Sequence, residues 1–372
     1  MARRFAPLES AVFLIMPDYA VVSADLQKDR QLIIDLWRRN LADISHLEEK
    51  YDWHFLNNPF GLGQIWILEA DGRPIGTTSL GTRPLKLRQT VAMAGVACDL
   101  AVNREHRFLH PALLLQRALI SSAHSGIRIL YGVPNSGGAS VMTYVGYREF
   151  CCVHRYAKIL RISHYLNKSL KFGAMVPFVG RVADQGFAAL QSFGRRKDRR
   201  VAQVLPSFDE RFDDLWSGLS SEHPALTVRD RRFLKWRYQE CPLREYKTLG
   251  LLTEDESSLL GYLIYYVEDH SAVCADLLVS GGAEDLNCLL SSWEALAWVD
   301  GLASLSVSCS DTALAANLMR QGFSRRSMES ARKPDRTRRH EQSKTLFTHD
   351  RHSASEPAVA DNWYYTEGDS PY

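Results

Sequence analysis

The run Asp99-Leu100-Ala101-Val102-Asn103-Arg104-Glu105-His106-Arg107-Phe108-Leu109-His110-Pro111-Ala112-Leu113 holds the residues best suited to chemistry in this 372-residue chain. An apolar strand pattern ends there, a short basic turn follows, and a helix pattern begins with Pro111 in its first turn, where a missing N–H costs nothing. A strand-to-helix turn aims unpaired backbone N–H groups and the positive end of a helix at whatever sits in it. Arg104, Arg107 and His110 add charge and donors, a set suited to a diphosphate. Asp99 and Glu69 each stand beside a central strand pattern. A carboxylate among apolar neighbours can take a proton from an amine, directly or through water; the alternative for both is a solvated acid at a strand end. No Ser-His-Asp order, nucleophilic-cysteine setting or paired-carboxylate motif stands out. The chemistry expected is therefore direct attack on an activated acyl group, which needs positioning and oxyanion stabilisation rather than an acyl-enzyme.

The elements around this segment come twice. Trp53 and Pro59 are six apart with Phe55 between them, and Trp236 and Pro242 are six apart with Tyr238 between them. Cys98-Asp99-Leu100 matches Ala275-Asp276-Leu277, and Gly146-Tyr147 matches Gly322-Phe323. Solenoid units repeat every ~20–50 residues, so a period this long is a duplicated domain. In the first copy the patterns predict a strand at 19–23, a helix at 29–40, a hairpin about the Asp71-Gly72 turn, a long strand at 91–102, a helix at 111–125, a strand at 127–133, a helix at 136–145 and a closing strand at 148–159. In the second they predict strands at 201–205, 247–252, 259–267, 273–279 and 302–308, with helices at 209–220, 231–239, 284–299 and 312–320. Mixed strands and helices in this order give an α/β (α+β layered) fold of two tandem domains, 1–160 and 201–372, joined by a helical connector at 161–200. Trp53 and Trp236 are expected to be packing anchors, because the fold repeats while chemistry need not.

Bulk properties narrow the function classes. A net charge of +2 gives no global field for nucleic acid. The seven cysteines form no C-x-x-C and the twelve histidines lack paired-ligand spacing, so free thiols and no metal site are expected. Residues 11–16 are too short an apolar run for a signal sequence, and 174–193 contains Arg181, Asp184 and Gln185, so a cytoplasmic protein is expected. The connector ends in Arg195-Arg196-Lys197-Asp198-Arg199-Arg200. It reads as a solvated basic end, or alternatively as a weak peripheral contact with anionic membrane. Residues 324–355 are polar and basic and read as a mobile loop, after which Asn362-Trp363-Tyr364-Tyr365 reads as a last strand.

With the repeat and this element order, the Asp99–Leu113 segment resembles the GNAT (N-acetyltransferase) superfamily, as two tandem GNAT-like domains of the kind found among bacterial polysaccharide-biosynthesis genes. The resemblance implies an acetyl-CoA or other acyl-CoA donor and a small amine or amino-sugar acceptor. It makes Leu100, Ala101 and Val102 the strand beside the pantetheine arm, and Arg107, Phe108, Leu109, His110, Pro111, Ala112 and Leu113 the pyrophosphate loop. Asn135 would then help close the donor groove. His110 stands where the family's loop has its first glycine, and Met142 where it often has a tyrosine that protonates the thiolate. Tyr144, two residues on, is the substitute candidate, with Asp99 as the base. The matching second-copy turn, Ser280-Gly281-Gly282-Ala283-Glu284-Asp285, has two carboxylates and no arginine, which implies a degenerate second domain. Two other functions fit the same resemblance: an aminoacyl-tRNA-dependent transferase of the Fem type, and a non-catalytic scaffold or regulatory protein.

Overall fold

The computed structural model describes residues 17–87, 89–169, 200–219, 225–326, 344–350 and 363–372. The first half runs β1 (Tyr19–Ser23), α1 (Arg30–Asn40), α2 (Leu47–Tyr51) passing into a π-helical turn at Asp52–Leu56, β2 (Gln64–Ala70), β3 (Arg73–Leu87), β4 (Thr90–Val102), α3 (Leu109–Ser122), β5 (Ile127–Gly132), α4 (Ser136–Tyr144) and β6 (Arg148–Ile159). The second half follows with β7 (Val201–Leu205), a helix at Glu210–Leu219, β8 (Ala225–Thr227), a helix at Arg231–Leu234 passing into a π-helical turn at Lys235–Gln239, β9 (Lys247–Leu252), β10 (Leu259–Glu268), β11 (Ser271–Val279), a helix at Gly282–Val299, β12 (Ser304–Cys309), a helix at Thr312–Arg320, β13 (Ser324–Arg325) and β14 (Lys344–Asp350).

Local chemistry explains the elements that matter for the site. In α1, Ile33, Ile34, Leu36 and Trp37 recur at helical spacing and are fully buried. Ile33, Ile34 and Trp37 pack on Tyr51, Phe55, Ile65 and Ala101, and each fully buried aliphatic side chain contributes about 1.5–3 kcal/mol. The Trp37 indole N–H donates to Thr77 Oγ1 at 3.0 Å, which fixes α1 on β3. The β2–β3 hairpin turns at Asp71 and Gly72, both at positive φ (49° and 73°), as a tight two-residue turn requires.

The strands form one mixed sheet whose main path runs β1-β2-β3-β4-β5-β14-β6-β12-β11-β10-β9-β7. Only β4–β5 and β11–β12 pair in parallel among the described strands. The sheet is therefore continuous across the two halves, where one sheet for each had been expected. Its centre is crossed: β14 lies between β5 and β6, and β6 pairs on its other side with β12. The strand order of the first half is completed by a strand some two hundred residues downstream, and that of the second half by β6.

Two sequence expectations change here. The 324–355 loop contains β13 and β14, the latter a central strand with Leu346 and Phe347 buried; residues 327–343 and 351–355 lie outside the described residues. The apolar signal of β14 is confined to Leu346 and Phe347 and is hidden by the surrounding charge. The strand expected at 362–365 is instead a packed segment with isolated bridges, Ala225 to Trp363 and Cys309 to Thr366; Asn362 lies outside the described residues. Most of the 161–200 connector, and with it the membrane reading, also lies outside them, apart from a helix at Ile162–Ser169. Among the described residues no helix is long and apolar enough to cross a membrane.

Trp53 and Trp236 do anchor the fold, but to each other. Their rings stack with centroids 5.0 Å apart and planes 21° apart. Each indole N–H donates to the other residue's carbonyl, at 2.9 and 3.2 Å. The reciprocal pair sits at the junction of the halves, one tryptophan from each π-helical turn.

Candidate functional site

Strands β4 and β5 pair only from Met93–Val96 to Ile127–Tyr131. Beyond Val96 they splay, so the β5-facing edge of β4 is left without a strand partner. Pairing with β3 slips by one residue between Cys98 and Ala101, and Asp99 takes φ 49° within this bulge. Positive φ is uncommon for a residue with a side chain and is a form of strain that recurs at functional sites. A cavity of about 490 Å³ fills the splay. Ala97, Cys98, Asp99 and Leu100 line one wall, and Val133, Asn135 and Met142 the other.

Asp99 is the node of the site. Its side chain is only 2% exposed and pairs with Lys50 of α2, whose ammonium lies 2.9 Å from Oδ1. The Tyr372 hydroxyl donates to the same oxygen. Lys50 is sandwiched 4.5 Å from both the Trp37 and Tyr372 rings, a cation–π arrangement that helps keep an ammonium buried. Asp99 Oδ2 is buried with no hydrogen-bond partner among the described residues. A buried carboxylate oxygen left open is a costly acceptor awaiting a donor. Burial, with the Asp99 carboxylate beside it, raises the Tyr372 hydroxyl well above the ordinary tyrosine value and keeps it a proton donor. The same two causes push the neighbouring Cys98 thiol up, so it is a poor nucleophile.

A second cavity of about 210 Å³ shares Leu41, Asp99, Arg244 and Tyr372 with the first. It is lined by the loop after α1 (Leu41, Asp43, His46), by Lys50, and by Leu243, Arg244 and Tyr246 of the second half. Two chambers with a carboxylate and a phenol at their junction suit the meeting of two substrates.

The expected site residues divide. Asp99, Leu100 and Asn135 line the larger cavity; Asn135 also caps α4, its side chain accepting from Gly138 N at 2.9 Å. Ala101 is buried against α1, and Val102 in the apolar cluster on β2–β5. Arg107 braces the turn: Nε donates to the Val102 carbonyl at 2.8 Å and Nη2 to Asn40. The helix it precedes starts at Leu109, with no side chain capping it, so its first amides stay available to an anion. Phe108, Leu109 and His110 are exposed there, Pro111 is buried and removes one donor, and Ala112 and Leu113 are half-buried. Tyr144 is 67% exposed and lines neither cavity. Two residues turn a helix by about 200°, and it is Met142 that faces the cavity. Glu69, on β2 next to β1, also lines neither. Of the seven free cysteines, Cys152 is exposed.

Lys50, Tyr372 and Arg244 were not legible as site residues. Lys50 sits in a Glu-Glu-Lys run that looks solvated, and Tyr372 follows a polar stretch. The aromatic Trp363-Tyr364-Tyr365 was the one signal that this segment docks.

The corresponding opening in the second half is filled. Past Cys274 and Val307, where β11 and β12 stop pairing, residues 364–369 enter. Tyr364 donates to the Leu277 carbonyl at 2.6 Å, and Thr366 Oγ1 to Asp276 at 3.0 Å. Asp276, the repeat of Asp99, is held by both oxygens to Arg229 Nε (2.9 and 3.0 Å), while Arg229 Nη2 donates to Asp369. Arg83 and Arg237 bind the carbonyl of Gly368, and Arg83 that of Ser370. At the N-terminus of the Gly282–Val299 helix, Glu284 and Asp285 pair with Arg200.

His54 packs beneath the site, edge-on to the Tyr372 ring at 5.6 Å and against Gly81, where any side chain would collide with its Nε2. Neither ring nitrogen has a partner among the described residues. Burial, then the charges of Arg83 and Lys50, hold it neutral well below the usual histidine value. Below pH ~6.5 the unfolded chain takes up a proton that the folded one refuses, so stability should fall by about 1.4 kcal/mol per pH unit on acidification. Urea unfolding of His54→Leu between pH 7 and 5 is expected to lose that slope relative to the parent; equal slopes in both proteins would refute the assignment.

No protein-family profile matches the chain, and no curated protein sequence does. Solved structures do match its fold. A GCN5-related N-acetyltransferase from Anabaena variabilis superposes with TM-score 0.61 at 11% identity, over 90% of this chain and 73% of that one. A conserved Enterococcus faecalis protein of unknown function, described as a probable N-acyltransferase, gives 0.60 at 9%, over 90% and 73%. A GCN5-related N-acetyltransferase from Kribbella flavida gives 0.59 at 12%, over 90% and 71%. At such identities the likeness is one of fold, GNAT-like over nearly the whole chain, and function has to be argued from the site.

Proposed function

We propose that the chain is an acyl-CoA-dependent N-acyltransferase whose reaction takes place in the opening of the first half, with Tyr372 brought to it from the second. The observation that carries this reading is the open β4 edge at Asp99, set beside a cavity large enough for a thioester arm. The residues present suit such a donor: β4 past Val96 offers backbone groups to an extended amide chain, and the first amides of α3 offer donors to a diphosphate. The filled second opening and its acidic helix start support a second half that holds no donor of its own.

In this reading the acceptor amine enters from the smaller cavity and donates to Asp99 Oδ2. The nitrogen attacks the thioester carbonyl, a C–N bond forms and the C–S bond breaks. Asp99 takes the proton from nitrogen on Oδ2, and Tyr372, its hydroxyl turned from Oδ1 to the departing sulfur, gives its proton there; after the products leave, Asp99 releases its proton to water and Tyr372 regains one from water. The net change is one proton moved from amine to thiol. Lys50 balances the Asp99 charge and holds the carboxylate in place. An amino sugar or other small amine is the acceptor class implied by the sequence resemblance, and a place in polysaccharide assembly rests on that resemblance alone.

Calorimetry with acetyl-CoA, followed by thiol release in the presence of amines, tests the reading. Saturable binding is expected, and it should persist in Tyr144→Phe. Absence of binding at millimolar acetyl-CoA overturns it in favour of a GNAT-fold scaffold.

A further inference from the structure

Two opposite charges stand unpaired at the smaller cavity, Asp43 on its own wall and Arg244 on the wall it shares with the larger one. The Arg244 guanidinium lies 4.4 Å over the Tyr266 ring and makes no hydrogen bond or ion pair among the described residues. Glu268 and Glu367 are near enough to favour its charge, but neither pairs with it. Arg244 is an exposed residue, whereas the buried guanidiniums Arg83, Arg229 and Arg237 are all hydrogen-bonded. Across the same cavity the Asp43 carboxylate accepts only from Ser45 N of its own loop, at 3.0 Å, and has no cationic partner among the described residues. It is close enough to Tyr372 to raise that hydroxyl further, which puts Asp43 at the Asp99 end. Surface charges with no partner are ordinary, but here one of each sign faces a cavity of about 210 Å³ that leads to an open carboxylate oxygen.

We infer that the acceptor is a small amine that also carries an anionic group, of the size of an amino acid, with its amine at Asp99 and Asp43 and its anion at Arg244. The inference rests on the acyltransferase reading and narrows it. It gives the second half a part in recognition, since Arg244 comes from the loop before β9 while the reacting groups belong to the first half and to Tyr372. A neutral hexosamine would leave the guanidinium without an anion. A carboxylate on the acceptor gives Arg244 a charge-assisted, planar two-point contact.

The test uses the full chain with acetyl-CoA and three matched acceptors, L-serine, ethanolamine and phosphoethanolamine, alongside glucosamine and the other common α-amino acids. Turnover of an amino acid or of phosphoethanolamine at least tenfold above the amine lacking the anion is expected, and which of the two is preferred identifies the anion. Arg244→Ala should lower kcat/KM for the anionic acceptor about 10–100-fold, the loss of one charged contact. It should erase the preference over ethanolamine and leave acetyl-CoA affinity by calorimetry unchanged, with Arg244→Lys intermediate. Equal use of ethanolamine, preference for glucosamine, or no turnover of any anionic amine by a protein that binds acetyl-CoA overturns the inference and spares the donor assignment. A loss of acetyl-CoA affinity in Arg244→Ala also overturns it, by placing Arg244 with the donor. A chain that binds no acetyl-CoA removes the reading beneath it.

Discussion

Tyr372→Phe should lower kcat for acyl transfer by about 10²–10⁴-fold, the range of a lost general acid, with acetyl-CoA affinity within a factor of two or so of the parent. The substitution removes one oxygen and keeps the ring that covers Lys50 at 4.5 Å, so the Lys50–Asp99 pair stays buried and matched. Asp99→Asn would strike closer to the proton transfer, but it would leave a buried ammonium without its counter-charge, mixing a folding defect into the kinetics. Because burial and Asp99 hold the hydroxyl's pKa well above its ordinary value, the parent should keep this proton throughout the neutral and mildly alkaline range. Loss of activity below pH 9 must then come from another group. Thiol-release kinetics at saturating donor check the kcat effect, and a variant as fast as the parent would falsify the role of Tyr372.

Arg229→Met should cost about 3–5 kcal/mol of stability, the penalty for breaking a buried ion pair from one side. Arg229 and both its carboxylates are 1% exposed, and Tyr262 and Thr366 add hydrogen bonds to Asp276. Without the guanidinium, two buried carboxylates face each other with only hydroxyls between them. Replacing Arg229, Asp276 and Asp369 together by neutral residues of similar size should cost less than the single change, since no uncompensated charge remains. Urea unfolding at pH 7 decides this. A loss under about 1 kcal/mol, typical of an exposed pair, would mean the cluster is wetter than its burial implies.

Much of the framework could be read from residues, and the reasons for the failures are physical. Periodicity gave the helices and strands of both halves, because each buries one face against a sheet and the apolar spacing records it; Arg148–Ile159 and Thr312–Arg320 fall where the pattern put them. Asp99 was visible as a carboxylate at the end of an apolar strand. Its partners were not, since Lys50 lies 49 residues before it and Tyr372 273 after, and no local pattern encodes a contact over that separation. Tyr144 was preferred for its nearness to a motif, yet the geometry of α4 turns it outward. The tail misled for the opposite reason: the short run at Lys344–Asp350 joins the sheet by filling a position between two strands, and the surrounding charge hides so brief a signal.

The crossed centre of the sheet imposes a schedule on the making of this protein. β5 leaves the ribosome long before β14, the strand that will lie beside it, and at ~5–20 residues per second the interval is about 10–40 s. Through that time the nascent first half carries an edge at β5 and β6 with no lawful neighbour, and such an edge recruits strands from other chains. The order usual for tandem architectures, one unit finished before the next begins, is closed to it. Cutting the gene between the halves should accordingly yield fragments that aggregate alone and regain the fold when made together.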